Sequence, residues 1–426
     1  MEQFVIEGNT PLSGTVRPGG NKNAALPLLA ASLLTDEPLI LHNVPRIRDV
    51  QTMCRLLADL GVDMAELDDH TLRLSAANVR KTDLDSDLCR EIRASILLAG
   101  PMLARLGHVE LPPPGGDVIG RRRLDTHFLA FKKLGAEMES NDRFRLRARQ
   151  LIGRDILLDE ASVTGTENAV MAAVLARGTT VFRNAASEPH VQDLCNCLVQ
   201  MGARIEGIGS NMVTIHGVEK LRGTDFTIGA DYLEVASFIA LAAVTGGEVL
   251  IQNASPEHLG MTELVFDRLG VRWETRGRDV FVPRGQSLTV VPDLGDAIPE
   301  IKTNVWPAFP TDLTSIAIAV ATQAAGMVLF HDWMHAGRMY FTDKLVGMGA
   351  RIVLCDPHRC MVHGPAWLRG EQLESPDIRA GMALLIAALT ARGQSIIRKV
   401  GQIDRGYERV DEKIRALGGR IERVEA

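Results

Sequence analysis

Apolar residues recur at helical spacing and then give way to two-residue alternation, and this pattern repeats along the whole chain. Val50, Met53, Cys54, Leu57 and Leu60 fall on one helical face. Gly61 follows, as expected where a helix ends in a left-handed residue. Val62 and Met64 then alternate with polar positions, Asp68-Asp69-His70 turns the chain, and Leu72 and Leu74 alternate again. The pattern predicts a helix followed by a hairpin. The last turn of the chain repeats it, with Tyr407, Val410, Ile414 and Leu417 before Gly418 and Ile421. In all, the helix-ending glycine occurs six times, at Gly61, Gly135, Gly202, Gly270, Gly349 and Gly418. A nearly constant period predicts a repeat architecture. The period is too long for a solenoid rung, so each unit reads as a small α/β subdomain.

A second, more apolar helix is predicted before each of these units. The six lie near 23–34, 93–106, 166–176, 231–244, 311–325 and 377–391. Helices apolar on every side are buried. Their first turns hold the polar exceptions. Thr166 and Asp231 are expected to cap their helices. Lys22, Arg93 and Arg379 are different, because a cation at a helix N-terminus opposes the macrodipole. Something anionic is expected to offset them, and converging helix N-termini attract anions.

Composition narrows the function. The 426 residues carry 47 Lys+Arg against 53 Asp+Glu, a net charge of −6. That disfavours a general binder of nucleic acid. Apolar residues at 46% and charged residues at 23% describe a globular protein, not a disordered one. Met1-Glu2-Gln3-Phe4-Val5 has no basic segment of a signal peptide, and the apolar stretches 315–330 and 382–391 are too short to span a membrane. Six cysteines in a chain of this length are not a disulfide framework. A cytoplasmic protein is expected.

Three segments stand out. Gly19-Gly20-Asn21-Lys22-Asn23-Ala24-Ala25-Leu26-Pro27 places a lysine at a helix mouth, without the Gly-Lys-Ser/Thr of a Walker loop. Pro112-Pro113-Pro114-Gly115-Gly116 leads through Asp117 to Arg121-Arg122-Arg123, a loop holding one acid and three arginines. Ala308-Phe309-Pro310-Thr311-Asp312 delivers a carboxylate to a helix start. Taken singly, each has an ordinary reading: a turn, a solvated charge run, a cap. Two other clusters read as incidental. Cys355, His358, Cys360 and His363 straddle a hairpin turn and are not expected to converge on a metal. Cys195 and Cys197 sit two apart on a helix and are expected to be core or surface thiols.

Together with Arg93-Ala94-Ser95 and Ile403-Asp404-Arg405-Gly406-Tyr407-Glu408-Arg409, these segments resemble the enolpyruvyl transferase family, in the family's order, from residue 7 to residue 424. The resemblance is to the branch acting on UDP-N-acetylglucosamine, since the sister branch acting on shikimate 3-phosphate lacks the Asn-Lys-Asn and Arg-Gly-Tyr-Glu-Arg segments. It implies a two-domain inside-out α/β barrel of six βαβαββ repeats, three per domain. One domain would span 22–229, the other 1–21 and 230–426, with the active site in the cleft between them. The implied reaction moves the enolpyruvyl group of phosphoenolpyruvate to the 3'-hydroxyl of UDP-N-acetylglucosamine and releases phosphate, with no cofactor, metal, nucleic acid or membrane involved.

Roles follow from the resemblance residue by residue. Lys22, Arg122 and Arg405 would converge on phosphoenolpyruvate, with Arg338 and Arg379 nearby; arginine suits both anionic groups. Asp312 would act beside the sugar hydroxyl, and Asp117 would deliver the proton. Asn23, Arg93, Arg123, Leu124, Asp125, Thr126, Ser162, Val163, Thr311, Met334 and Asp377 complete the implied substrate-binding set. Ser162 and Val163 match the segment that holds the diphosphate, and Leu124, Asp125 and Thr126 fall where the uracil contacts lie. Four positions depart from the usual pattern: Asp117 replaces a cysteine, Glu160 a lysine, Thr164 a glycine and Arg123 a proline. The last three leave room for another sugar nucleotide. A non-catalytic paralogue that binds sugar nucleotide is a separate alternative, and the presence of Lys22, Asp117, Asp312 and Arg405 together argues against it. An RNA-end-processing enzyme of related fold fits poorly with the net charge.

Overall fold

The computed structural model of the chain describes residues 2–116 and 123–425. Asp117 and Arg122, singled out above, lie outside them. The described chain divides into two compact units, one of residues 2–19 and 230–425, the other of 20–116 and 123–229. Each has its own apolar core.

The repeat is visible in six sheets with one plan. In the first, Leu39–His42 pairs in parallel with Asp225–Thr227 on one side and antiparallel with Thr71–Ser75 on the other, and Asp63–Asp68 completes the hairpin. The sheet built on Thr179–Arg183 follows the same order. So do those built on Glu248–Ile251 and Gly326–His331. Where Gln394–Arg398 is the inner strand, the antiparallel neighbour is Glu2–Glu7, so the start of the chain closes the last repeat. One sheet has three strands, and a single bridge from Asp83 to Glu110 stands where its parallel strand would be. All six repeat glycines have positive φ, from 79° to 106°. A residue with a Cβ would be strained there.

The six apolar helices are buried as expected. Those in one unit are Lys22–Ala31, Ala99–Leu106 and Val163–Ala173. The other unit holds Tyr232–Val244, Thr314–Ala321 and Ile378–Thr390. In the latter unit the three pack against one another, and in the former Val163–Ala173 packs against both of the others. Ala and Gly permit the close approach: a Cβ on Gly100 would lie 2.4 Å from the Asn168 carbonyl oxygen of the neighbouring helix. Two of the expected helices are shorter than their apolar run. Arg93–Leu98 and Thr311–Leu313 are 3₁₀ turns that precede the α-helices. Tight turns of this kind are common at helix entries.

One expectation is corrected. Thr166 does not cap its helix, which begins at Val163 with Ser162 as the cap. Thr166 is buried one turn in, and its hydroxyl accepts a hydrogen bond from the Ala186 N–H. The apolar run starts at Ala169, so apolar periodicity placed the helix start a turn too late. Asp231 does cap, accepting from the N–H groups of Leu233 and Glu234.

Candidate active site

In the unit of residues 20–229, Asn21 caps the helix that carries Lys22 and Asn23, accepting from the Asn23 N–H at 2.8 Å. The anion that offsets Lys22 is supplied by the protein: its Nζ lies 2.8 Å from Asp49 Oδ2, and both side chains are nearly buried. Arg93 opens its 3₁₀ turn and donates to the Arg123 carbonyl at 3.1 Å. The Arg123 side chain reaches Asp125 at 3.0 Å and Asp159 at 3.2 Å. Thr126 donates to the same Asp159 at 2.8 Å. This ties the helix Asp125–Lys133, entered at Leu124, to the segment that precedes Ser162 and Val163.

Beneath that segment lies a chain of hydrogen bonds with one possible direction. The Asn168 side chain accepts from the Gly100 N–H at 2.7 Å and donates to the Ile96 carbonyl at 2.7 Å. Its second amide hydrogen faces His127 Nδ1 at 2.9 Å. Nδ1 therefore accepts, Nε2 carries the hydrogen, and Nε2 donates to the Thr164 hydroxyl 3.2 Å away. Burial, with the positive Arg93 adding to it, pushes the His127 pKa down to about 3, so the ring is neutral. The Thr164 hydroxyl keeps its own hydrogen for another acceptor. Asp49 and His127 carry no signal in the sequence, and Asn168 shows there only as a polar exception in the first turn of its helix.

In the unit of residues 2–19 and 230–425, the Thr311–Leu313 turn presents Asp312 to two guanidinium groups. Arg338 Nη2 is 3.1 Å from Oδ1, and Arg379 Nε is 3.2 Å from Oδ2. Both arginines are buried, and Arg379 Nη1 has no hydrogen-bond partner among the described residues. Burial alone would lower the Arg379 pKa, but Tyr407, Asp312 and Asp231 outweigh it and hold the group charged. Asp377 caps the Arg379 helix, accepting from the N–H groups of Arg379 and Ala380. The Arg379 guanidinium lies over the buried Tyr407 ring, whose hydroxyl is 3.0 Å from Ser237 Oγ. Arg405 ends the neighbouring turn Val400–Arg405 and reaches Gln402 at 3.2 Å. The Met334 N–H donates to Asp332 Oδ1 at 3.0 Å. Here too the anion opposing a helix-start cation is internal.

The incidental clusters resolve as separate groups. His358 Nδ1 bonds the Asp332 carbonyl, and Cys360 is buried against the Met339 sulfur. Among the described residues, no three His, Cys, Asp or Glu side chains are placed to hold a metal ion. Cys195 and Cys197 are both buried, which pushes each thiol up to about 12. No helix among the described residues is long and apolar enough to cross a membrane.

The family described as EPSP synthase (3-phosphoshikimate 1-carboxyvinyltransferase) matches residues 6–414. The chain belongs to this family. Within it, a Treponema denticola protein named UDP-N-acetylglucosamine 1-carboxyvinyltransferase is 53% identical over 422 residues, 99% of both chains. A Bradyrhizobium diazoefficiens protein of the same name is 54% identical, covering 99% of this chain and 98% of the relative. The enolpyruvyl transferase NikO from Streptomyces tendae superposes with a TM-score of 0.89 at 23% identity, over 100% of this chain and 99% of its own. EPSP synthase from Acinetobacter baumannii does so at 0.76 and 16% identity, covering all of both chains. The fold is thus the inside-out α/β fold of the family, with six repeats in two units.

Proposed function

We propose that the chain transfers the enolpyruvyl group of phosphoenolpyruvate to the 3'-hydroxyl of UDP-N-acetylglucosamine, releasing phosphate. The observation that carries this is identity above 50% over essentially the full length with two relatives of that name. Peptidoglycan synthesis in the cytoplasm is the setting we infer for it.

The reaction needs a proton at the methylene carbon, attack of the sugar oxygen at the adjacent carbon, and then loss of a proton and phosphate. Asp117 supplies the first proton, by its position in the sequence. Asp312 takes the hydroxyl proton; two buried guanidinium groups fix its carboxylate. Lys22, Arg122 and Arg405 hold the phosphate and carboxylate of phosphoenolpyruvate, with Arg338 and Arg379 adding positive charge beside Asp312. Asn23, Arg93, Arg123, Leu124, Asp125, Thr126, Ser162, Val163, Thr311, Met334 and Asp377 position the nucleotide sugar. The free hydrogen on Thr164 adds a donor at the Val163–Ala173 helix start, where a glycine would offer none.

Phosphate release with phosphoenolpyruvate and UDP-N-acetylglucosamine tests this reading. Release with shikimate 3-phosphate instead would reject it. A second reading, a transferase for a different sugar nucleotide, is favoured by Arg123 being engaged with Asp125 and Asp159. UDP-N-acetylgalactosamine and UDP-glucose in the same assay, with the wild type and Thr164→Gly, decide between the two.

A further inference from the structure

Asp332 follows the strand Gly326–His331 and has no exposed surface. Burying a carboxylate costs several kcal/mol unless donors replace the lost water. Asp332 is well supplied with them. Oδ1 accepts from the Thr303 hydroxyl at 3.1 Å and from the Met334 N–H at 3.0 Å. Oδ2 accepts from the Thr311 hydroxyl and lies 3.7 Å from Arg338 Nε. Its backbone is pinned to the hairpin turn at His358: the N–H donates to the His358 carbonyl at 2.8 Å, and the carbonyl accepts from His358 Nδ1 at 2.7 Å.

Two of these contacts end at the same place. Thr311 is the residue before Asp312, in the turn that presents it. Arg338 turns one edge to Asp332 and grips Asp312 with Nη2. The guanidinium lies between two carboxylates: it donates to Asp312, while Nε stands at ion-pair distance from Asp332 without a hydrogen bond, so Asp332 acts on it through charge. We propose that Asp332 is a positioning residue for Asp312, acting through Thr311 and Arg338. This rests on the reading of Asp312 as the base.

Asp332 also balances charge. Among the described residues, Asp312 and Asp332 face the guanidinium groups of Arg338 and Arg379. Among the same residues, Tyr407 and Asp231 stand beside Arg379, Asp377 at the start of its helix, and His358 on the Asp332 backbone. Neutralising Asp332 leaves two cations on Asp312. Its carboxylate then takes a proton less readily and is a weaker base.

The test is Asp332→Asn, assayed with both substrates across pH beside the wild type and Asp312→Asn. We expect kcat to fall roughly 10- to 100-fold with KM for UDP-N-acetylglucosamine little changed, the pattern of a lost transition-state interaction. The acid limb of the kcat profile should move to lower pH. A purely structural role would lower the melting temperature and leave that limb in place, and this result would overturn the proposal. If Asp332→Asn does not fold, Thr303→Val decides: removing one donor to Oδ1 should lower kcat several-fold at unchanged KM, and an unchanged kcat overturns the proposal. An active Asp312→Asn would instead reject the base itself. A dead Asp312→Asn beside a normal Asp332→Asn would reject only the positioning role.

Discussion

Arg379 Nε lies 3.2 Å from Asp312 Oδ2, sixty-seven residues away in the chain, and the arginine is almost fully buried. One residue thereby fixes a carboxylate and still offers a buried donor, Nη1, with no partner among the described residues. Lysine cannot do both, because an ammonium lacks the planar fork. Arg379→Lys should therefore lower kcat/KM for phosphoenolpyruvate about 100-fold or more, corresponding to about 3 kcal/mol for a charge-assisted contact. Steady-state kinetics with each substrate varied in turn would check this. A normal kcat/KM for phosphoenolpyruvate would detach Arg379 from that substrate.

Lys22 and Asp49 form a second buried pair, 2.8 Å apart. Asp49→Asn leaves the lysine charged without its partner, and breaking a buried pair from one side costs about 3–5 kcal/mol. The double variant Lys22→Met with Asp49→Leu should recover most of that stability in urea unfolding. It should not recover turnover, because Lys22 is assigned to phosphoenolpyruvate. Calorimetry should find its affinity for UDP-N-acetylglucosamine little changed. Collapse of nucleotide binding with normal turnover would reverse the assignment of Lys22.

These two pairs mark the limit of what the sequence discloses. The repeat, the six buried helices and their glycine stops are written in local periodicity, which depends on neighbours in the chain. Lys22, Arg93 and Arg379 stand out because their charge contradicts a helix start, and Asp312 and Arg405 because their segments resemble those of the family. Their partners do not. Asp49 lies in the first turn of an amphipathic helix, where an acid is ordinary. Asp332 looks like any acid after a strand. Which acid meets which cation depends on packing between repeats, and periodicity carries no information about that. Thr166 shows the opposite error: it has good capping chemistry, but the apolar run puts the helix start a turn later than Ser162, the actual cap.

In the unit of residues 20–229, the buried Glu167 and His127 act in opposite senses. Burial, helped by the charge of Glu188, raises the Glu167 pKa well above the usual 4.5. The native state keeps a proton that the unfolded chain loses, so this group's contribution is full below about pH 4.5 and is lost as pH rises. His127, depressed from 6.5 to about 3, works the other way: stability falls as pH drops through that window. Glu167→Gln removes the first term alone. It should raise the melting temperature at pH 8 and change it little at pH 5, and differential scanning calorimetry at both values measures this. An equal shift at both values would show that Glu167 does not titrate on unfolding.

The last expectation concerns Asp117, at the position where the resemblance to the branch acting on UDP-N-acetylglucosamine implies a cysteine. The same resemblance implies that fosfomycin acts there by alkylating that thiolate, and a carboxylate is a much poorer nucleophile towards an epoxide. The protein's own thiols offer little alternative. Burial pushes Cys54 and Cys89 up to about 11 and Cys195, Cys197 and Cys360 up to about 12, while Cys355 is exposed. The wild type should therefore stay active after fosfomycin exposure, and any adduct should map to Cys355. Asp117→Cys should keep turnover, since a thiol can donate the proton, and should become sensitive. Asp117→Asn should lose turnover, since an amide cannot serve as the acid, and the wild-type rate should fall as pH rises and the carboxyl group ionises. Peptide mass spectrometry after exposure, beside turnover of the three forms, is the measurement. An adduct on wild-type Asp117, or an active Asn variant, would remove this residue from the acid's role and leave the proton to another donor.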